Sequence, residues 1–505
     1  MKKHLLSFFL LCLFFSQQAF GQNVRYLDPI FDVKVTEDVI YGENFEVLTG
    51  APILIDLLMD VYEPMDDTEA ARPLVIMAHA GSFLPKGLNT LPFGSKRDSA
   101  NIEMCREFAK RGYVCASINY RLGWNPLAPT QVDRAKSIIQ ATFRAAQDQA
   151  TAIRFFDRDS QEDNNFRADA GKVIVAGNNS GGYTSLTVGY LNRPEEFQLF
   201  KFLDDDGVPF VQESVEGNLD GTGGNPALQN LSHEGFRSKA QLVLNLGGAL
   251  GDLTWMDSTD NTALISFQEV NNPLTPYGTA VVIVTSTGDP IVEVSGGGDL
   301  HEHIADSGFT FNDKISNGVY DDPYTDGAKA AAASLNAPYY EGLYSMTSPT
   351  FFYDPWAWYD PADPNIDNTT PGASGFGSAA NPFNTPETAR IYIDTVINYT
   401  APRACLVLDL PCADMFTSTE EVIKEPGRVA VFPNPAHQQF NLHSTKAGSP
   451  ILGFQIFDLN GKQITNVQNI REYHIEVQVP DLIPGMYTVH ARFEDGIVVE
   501  KLMMN

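Results

Sequence analysis

Between residue 73 and about residue 410 the chain repeats one pattern, an apolar β-branched run followed by an amphipathic stretch, and nothing else in it limits the fold as much. The runs are "PLVIMAHAG", "YVCASINYR", "KVIVAG", "QLVLNLGG" and "AVVIVTS", with helices read through "SANIEMCREFAKRG" and "RAAQDQATAIRFF" between them. A strand that is apolar on both faces needs cover on both faces, and helices alternating with such strands supply it. The expected fold class is therefore α/β, with a doubly wound, mostly parallel sheet. Alternation in "ILIDLLMDVYEP" predicts antiparallel strands ahead of that sheet, ending at Pro64, and a helix through "ETARIYIDTVINYTA" is expected to close the domain.

The 505 residues include 63 acidic and 34 basic side chains, a formal net charge of −29. Nucleic acid and anionic membrane surfaces would repel such a chain, so neither is an expected partner. The opening "MKKHLLSFFLLCLFFSQQAFGQ" joins a basic start, an apolar run and small residues at Ala19 and Gly21. That is the pattern of a secretory signal peptide over residues 1–21, with the mature chain starting near Gln22. No later run approaches the roughly 20 apolar residues of a membrane-spanning helix, so no transmembrane segment is expected in the mature chain. With Cys12 in the leader, Cys105 with Cys115 and Cys405 with Cys412 form two local pairs. An oxidising compartment suggests two disulfides, and two reduced buried thiols are the alternative for the first pair.

After an α/β domain over 22–412 comes a linker over 413–427, then short alternating strands over 428–505 such as "QFNLHS", "EYHIEVQV" and "GMYTVHARF". With turn signals at Asn460-Gly461 and Pro484-Gly485, this last segment is expected to be a small all-β sandwich. It resembles the C-terminal sorting domains of the type IX secretion system, on "VFPNP" at Val431 to Pro435, "IFDLNGKQI", "IPGMYTV" and the closing "KLMMN". The resemblance implies the type IX machinery as a partner and a protein released from, or attached to, the cell surface.

Four stretches of the larger domain, "MDVYEP", "RPLVIMAHAGSF", "GYVCASINYRLG" and "VIVAGNNSGGYTSL", resemble secreted carboxylesterases of the α/β-hydrolase fold over roughly residues 50–410. The resemblance implies action on carboxylic esters, such as those decorating polysaccharides, without a cofactor. His79-Ala80-Gly81-Ser82-Phe83 then answers to the oxyanion loop, and the amides of Ala80, Gly81 and Ser180 to its donors. Small residues suit that role because backbone donors must lie about 3 Å from the developing charge. "AVVIVTSTGDPIVEV" resembles the strand-then-acid pattern and places Asp289 as the acid that orients a catalytic histidine. Only His301 and His303 follow Asp289 in this domain, because no histidine lies between Ile304 and Ala436; His301 is the first candidate for the base.

The nucleophile is where the chain departs from the pattern. In G-x-S-x-G a strained strand-to-helix turn lifts the central hydroxyl above the sheet. Here the frame Gly177-Asn178-Asn179-Ser180-Gly181 puts Asn179 at the centre. Asparagine tolerates positive φ, but a carboxamide is not a nucleophile. A frame centred on Ser180 restores the hydroxyl and loses the glycine two places before the apex. Two functions follow. One is an ester hydrolase in which Ser180 attacks, Asp289 orients His301, and Ala80, Gly81 and Ser180 hold the oxyanion. The other is an inactive pseudo-hydrolase that binds a small ester, a glycan-linked compound or a glycan against Trp124, Trp255, Trp356, Trp358 and Tyr359. No transition-metal site is expected, since His301 and His303 with Asp299 lack a further spaced ligand; a calcium-stabilised surface module on the acidic loops "DDDG" and "EGNLDGTGGN" is a third and weaker alternative, because they lack a regular calcium-loop spacing.

Overall fold

A computed structural model describes residues 23–417 and 427–505, apart from residues 49, 87, 90–92, 231, 273–274, 285, 348–354, 360–384, 459–462, 480–481 and 495. The leader and the Asn460-Gly461 turn thus lie outside the described residues. The chain divides into two compact units between Phe416 and Thr417.

The first unit is built on eight strands, β1 (Val33–Glu46), β2 (Ile53–Pro64), β3 (Arg72–Ala78), β4 (Val114–Ile118), β5 (Ala168–Asn178), β6 (Leu242–Leu246), β8 (Ala263–Glu269) and β11 (Leu343–Met346). They lie in the order β1-β2-β4-β3-β5-β6-β8-β11. β1 and β2 pair antiparallel, β2 meets β4 antiparallel, and every later pairing is parallel. Every residue of β3, β4, β6 and β8 is buried, which is why the runs of β3, β4 and β6 read as largely apolar. Their side chains alternate between two cores. Leu74 and Ile76 join a core with helix α2 (Gln131–Gln161) and helix α3 (Ser180–Tyr190), while Val75 and Met77 join one with α1 (Ser99–Lys110) and α5 (Pro386–Val407). This is the α/β-hydrolase arrangement that the resemblance implies.

One strand belongs elsewhere. "AVVIVTS" was expected in the parallel sheet, but its core forms β9 (Thr279–Ile283), antiparallel to β10 (Pro290–Gly296), which in turn pairs with β7 (Ala249–Leu250) in a separate three-stranded sheet. The reason is local: Gly288 at φ 76° closes a turn in which its N–H reaches the Val284 carbonyl at 2.7 Å, so the run pairs with the apolar stretch directly after it. "ALISFQE" and "LYSM" take the remaining places in the central sheet as β8 and β11.

Cys405 and Cys412 form a disulfide at the end of α5. Cys105 on α1 and Cys115 on β4 are buried free thiols with their sulfurs 2.6 Å apart. Burial pushes the Cys115 thiol well up. The structure thus contains one of the two expected bridges, with the first pair reduced.

The second unit has two antiparallel sheets. One contains β12 (Val429–Phe432), β13 (Gln439–Ser444) and β16 (His474–Gln478); the other contains β14 (Ile451–Asp458), β15 (Gln463–Glu472), β17 (Gly485–Phe493) and β18 (Gly496–Met504). Alternate residues such as Phe440, Leu442, Ile456, Val489 and Leu502 turn inward to one core, as expected of a small all-β sandwich.

Candidate functional site

The site begins where β5 becomes α3. β5 ends at Asn178 and α3 starts at Ser180, leaving Asn179 alone at φ 52° and ψ −110°. Close packing fixes the frame of this turn. A Cβ on Gly177 would penetrate the carbonyl of Gly181, and a Cβ on Gly181 would penetrate that of Ala78. One on Gly182 would lie 2.7 Å from the Asn245 Oδ1. The two glycines that permit β5 and α3 to meet thus stand two residues either side of Asn179. Asn178 faces the sheet interior, where its Oδ1 accepts a 2.7 Å hydrogen bond from Trp356 Nε1, and the Asn179 N–H donates to the Leu246 carbonyl at 2.8 Å.

Ser180 is 2% exposed, and its hydroxyl is engaged. The Ser82 N–H donates to its Oγ at 3.1 Å, and Tyr120 Oη lies 3.2 Å from the same oxygen. Tyr120 also donates to the His79 carbonyl at 2.8 Å and stacks on the His79 ring with centroids 4.3 Å apart. Ser180 therefore latches the loop that runs from β3 to α1. That loop is strained: Gly81, Ser82 and Phe83 follow one another at φ 119°, 55° and 57°. Each non-glycine residue held there costs about 1–3 kcal/mol. The Gly81 carbonyl is held by Leu84 N–H at 3.1 Å and Asn89 Nδ2 at 3.3 Å. Among the described residues, the amides of Ala80, Gly81 and Ser180 have no hydrogen-bond partner.

Asn179 and Ser180 border a cavity whose walls come from the strained loop, α2, α3 and the β9–β10 hairpin, with Phe83, Trp124, Phe143, Phe197, Trp255 and Ile291 among them. Its two threonines turn their hydroxyls onto their own helices, Thr142 to the Ile138 carbonyl and Thr187 to the Tyr183 carbonyl. Trp255 donates its indole N–H to the Glu196 carbonyl at 3.0 Å. The indole N–H of Trp124 is buried with no partner among the described residues.

Asp289, His301 and His303 are not among the residues that line this cavity. Asp289 is exposed in the β9–β10 turn, where its carboxylate accepts from the Thr287 hydroxyl at 2.7 Å. His301 is 2% exposed on α4 (Gly297–Ser307) and borders a different cavity with Phe309, Asn312 and Tyr340. His303, two residues further along α4, is partly exposed, with Nδ1 3.4 Å from the Ser307 hydroxyl. Trp124 and Trp255 line the Asn179 cavity; Trp356 and Trp358 are 0% and 5% exposed in the core on the α1 and α5 face. Tyr359 is partly buried beside them in sequence.

Sequence reading passed over Glu269. It is buried at the carboxyl end of β8, where ligands of parallel sheets bind, and its Oε2 accepts from the Asn271 N–H at 2.7 Å. It is an acid that follows Asn179 in chain order on the central sheet itself. The signal was the run "ALISFQE", which ends on an acid but was not read as a strand.

Burial alone lowers the His301 imidazole from its ordinary 6.5 to about 3. The folded-state pKa is depressed, so the unfolded chain takes up the proton first. The stability of the neutral buried ring is complete above pH 6.5 and is lost as pH falls from 6.5 toward about 3. By about pH 4 the loss is about 3 kcal/mol. His301→Leu is expected to flatten the acid limb of a urea-midpoint profile across this window; an unchanged limb would mean that the ring is hydrated in the folded protein.

Residues 59–304 match the BD-FAE family model, and residues 430–505 match the secretion system C-terminal sorting domain. No curated protein matches the chain. Among solved structures it is similar to Thermogutta terrifontis esterase 2 phosphonylated by cyclosarin, at 17% identity over 49% of this chain and 74% of that one, with a TM-score of 0.28. It is also similar to a truncated carbohydrate esterase from gut microbiota, at 14% identity over 56% and 86% with a TM-score of 0.32. Esterase B from Lactobacillus rhamnosis is similar at 15% identity over 44% and 50%, with a TM-score of 0.25. No helix among the described residues is long and apolar enough to cross a membrane. The chain carries a BD-FAE esterase-like domain followed by a type IX sorting domain, which directs it to the cell surface or outside the cell.

Proposed function

We propose that the esterase-like domain binds an apolar carbonyl compound, a small ester or a glycan-linked ester, without hydrolysing it. The observation that carries this reading is the Ser82 N–H bond to Ser180 Oγ beside an elbow apex occupied by Asn179. The nearest hydroxyl is a latch, and the apex side chain is an amide, which imidazole cannot activate. In this reading the unpaired N–H of Ser180, which borders the cavity, and those of Ala80 and Gly81 in the adjoining loop serve a ligand carbonyl oxygen, and the apolar walls with Trp124 and Trp255 receive the rest. In the hydrolase reading, Ser180 attacks and Asp289 orients His301; the engaged Ser180 hydroxyl and the lowered His301 pKa weigh against it. The leader over 1–21 is cleaved in this reading. The α/β domain over 22–412, the linker over 413–427 and the sorting domain over 428–505 then act as binder, tether and address.

Short p-nitrophenyl esters are the test. The purified protein is expected to show no turnover beyond that of its Ser180→Ala variant, while ethyl benzoate quenches its tryptophan fluorescence. Trp124→Phe is expected to weaken that binding by about fivefold, the worth of one ordinary hydrogen bond. Turnover that disappears in both Ser180→Ala and His301→Ala would establish the hydrolase instead.

A further inference from the structure

The geometry points to Asn179 as a site of spontaneous covalent modification, at which its side chain cyclises onto the Ser180 backbone nitrogen and becomes aspartate. This inference stands whether or not the cavity binds an ester. The ring to be closed contains Cα, Cβ and Cγ of Asn179, its carbonyl carbon and the next nitrogen. Closure requires Cβ and that nitrogen to eclipse about the Cα–C bond. In an L residue the backbone N and Cβ are about 120° apart around this bond, so the eclipsed arrangement falls at ψ of about −120°. Helices hold ψ at about −42° and strands at about +115° to +135°, both far from it. Asn179 is held at −110° by the elbow.

The surroundings remove the usual obstacles. The attacking N–H belongs to the first residue of α3 and has no partner among the described residues, so no existing bond must break. The Asn179 carboxamide makes no capping bond and has no partner among the described residues, so nothing holds Cγ away. The residue is partly exposed at the cavity wall, which admits water. Asn178 is a built-in comparison. It is 2% exposed in β5, Trp356 holds its Oδ1, and the N–H that follows it is committed to the Leu246 carbonyl.

In the first step the Ser180 nitrogen bonds to Asn179 Cγ while the Cγ–Nδ2 bond breaks, and the amide proton leaves with that nitrogen as ammonia. Water then adds to one succinimide carbonyl and opens the ring, giving aspartate, or isoaspartate when the other carbonyl is attacked. Asparagine and water become an acid and ammonia; nothing is oxidised or reduced. The elbow apex exchanges a neutral amide for a carboxylate, and the cavity wall acquires a negative charge.

The test is a peptide map of the folded full-length protein aged at mildly alkaline pH, following the tryptic peptide over residues 173–201. A gain of one mass unit is expected at Asn179 and not at Asn178 or Asn192. The rate should exceed that of the same peptide free in solution by about tenfold or more, because the fold has already oriented the reacting atoms. Ser180→Pro places a residue without an N–H at a first helical position, where proline is tolerated, and should abolish the gain. If that variant does not fold, aging the unaltered protein in urea replaces it, and the rate at Asn179 should fall to the free-peptide value. Conversion no faster when folded than when unfolded, or equal conversion at Asn178, overturns the proposal.

Discussion

Asn179→Ser will leave the protein a poor esterase, even though it returns a hydroxyl to the apex of the turn. The hydroxyl would stand near unpaired amides and beside an apolar cavity, with no base to take its proton. No histidine borders that cavity among the described residues. His301 borders another one, where burial lowers its pKa to about 3 and keeps it neutral. Chain order would bring the base after the acid, on a loop following the last strand of the central sheet. That strand is β11, and the sequence has no histidine from residue 304 to residue 436. Residues of a triad act as a unit, so restoring one of them recovers little beyond the roughly 10³–10⁴-fold over water that binding and oxyanion donors supply. The expected kcat/KM on short p-nitrophenyl esters is at least about 10³-fold below the 10⁴–10⁸ M⁻¹s⁻¹ of working enzymes. A value inside that range would mean that a proton acceptor reaches the apex and that the natural chain lacks only its nucleophile.

The central sheet was legible because burial on both faces leaves a mark along the chain: β3, β4, β5 and β6 are runs with almost no polar interruption. β9 carries nearly the same mark for another reason. Val281 and Ile283 are 48% and 44% exposed, and the strand pairs only with its hairpin partner, a distinction that side-chain type does not record. The same ambiguity covers Asp289, since Thr287-Gly288-Asp289-Pro290 is equally good chemistry for a loop above a parallel strand and for the hairpin turn in which it lies. β11 has four residues, too few for a period to emerge.

The elbow was legible from its glycines, which report close backbone approach. The work of Ser180 was not, because its partner Ser82 lies 98 residues earlier. The aromatic loop divided for a similar reason. Trp356 and Trp358 have the composition of a ligand platform, but Asn178 and Ser99 tie them into the core. Short-range pattern reports what a segment needs to bury; it carries no record of which distant group satisfies it.

Gly177→Ala is expected to be among the most damaging single-methyl additions in the protein, and it also tests the frame of the elbow. The added carbon would occupy the position of the Gly181 carbonyl, and neither side of the contact can yield. Gly177 lies in β5, which is paired on both sides with β3 and β6. Gly181 lies in the first turn of α3, whose own Cβ position is closed by the Ala78 backbone. Relief would require moving α3 off the sheet and exposing residues such as Leu186 and Tyr190, both 0% exposed. Overpacking against backbone belongs with the largest destabilisations, so the loss should be at least about 3 kcal/mol. It should appear as a lower urea midpoint at unchanged slope, or as failure to accumulate folded protein. A turn centred on Ser180 would make Asn178 and Gly182 the flanking positions and leave Gly177 an ordinary strand residue. Alanine there would then be neutral to within about 0.5 kcal/mol. That outcome would move the apex to Ser180 and return the hydroxyl to contention as a nucleophile.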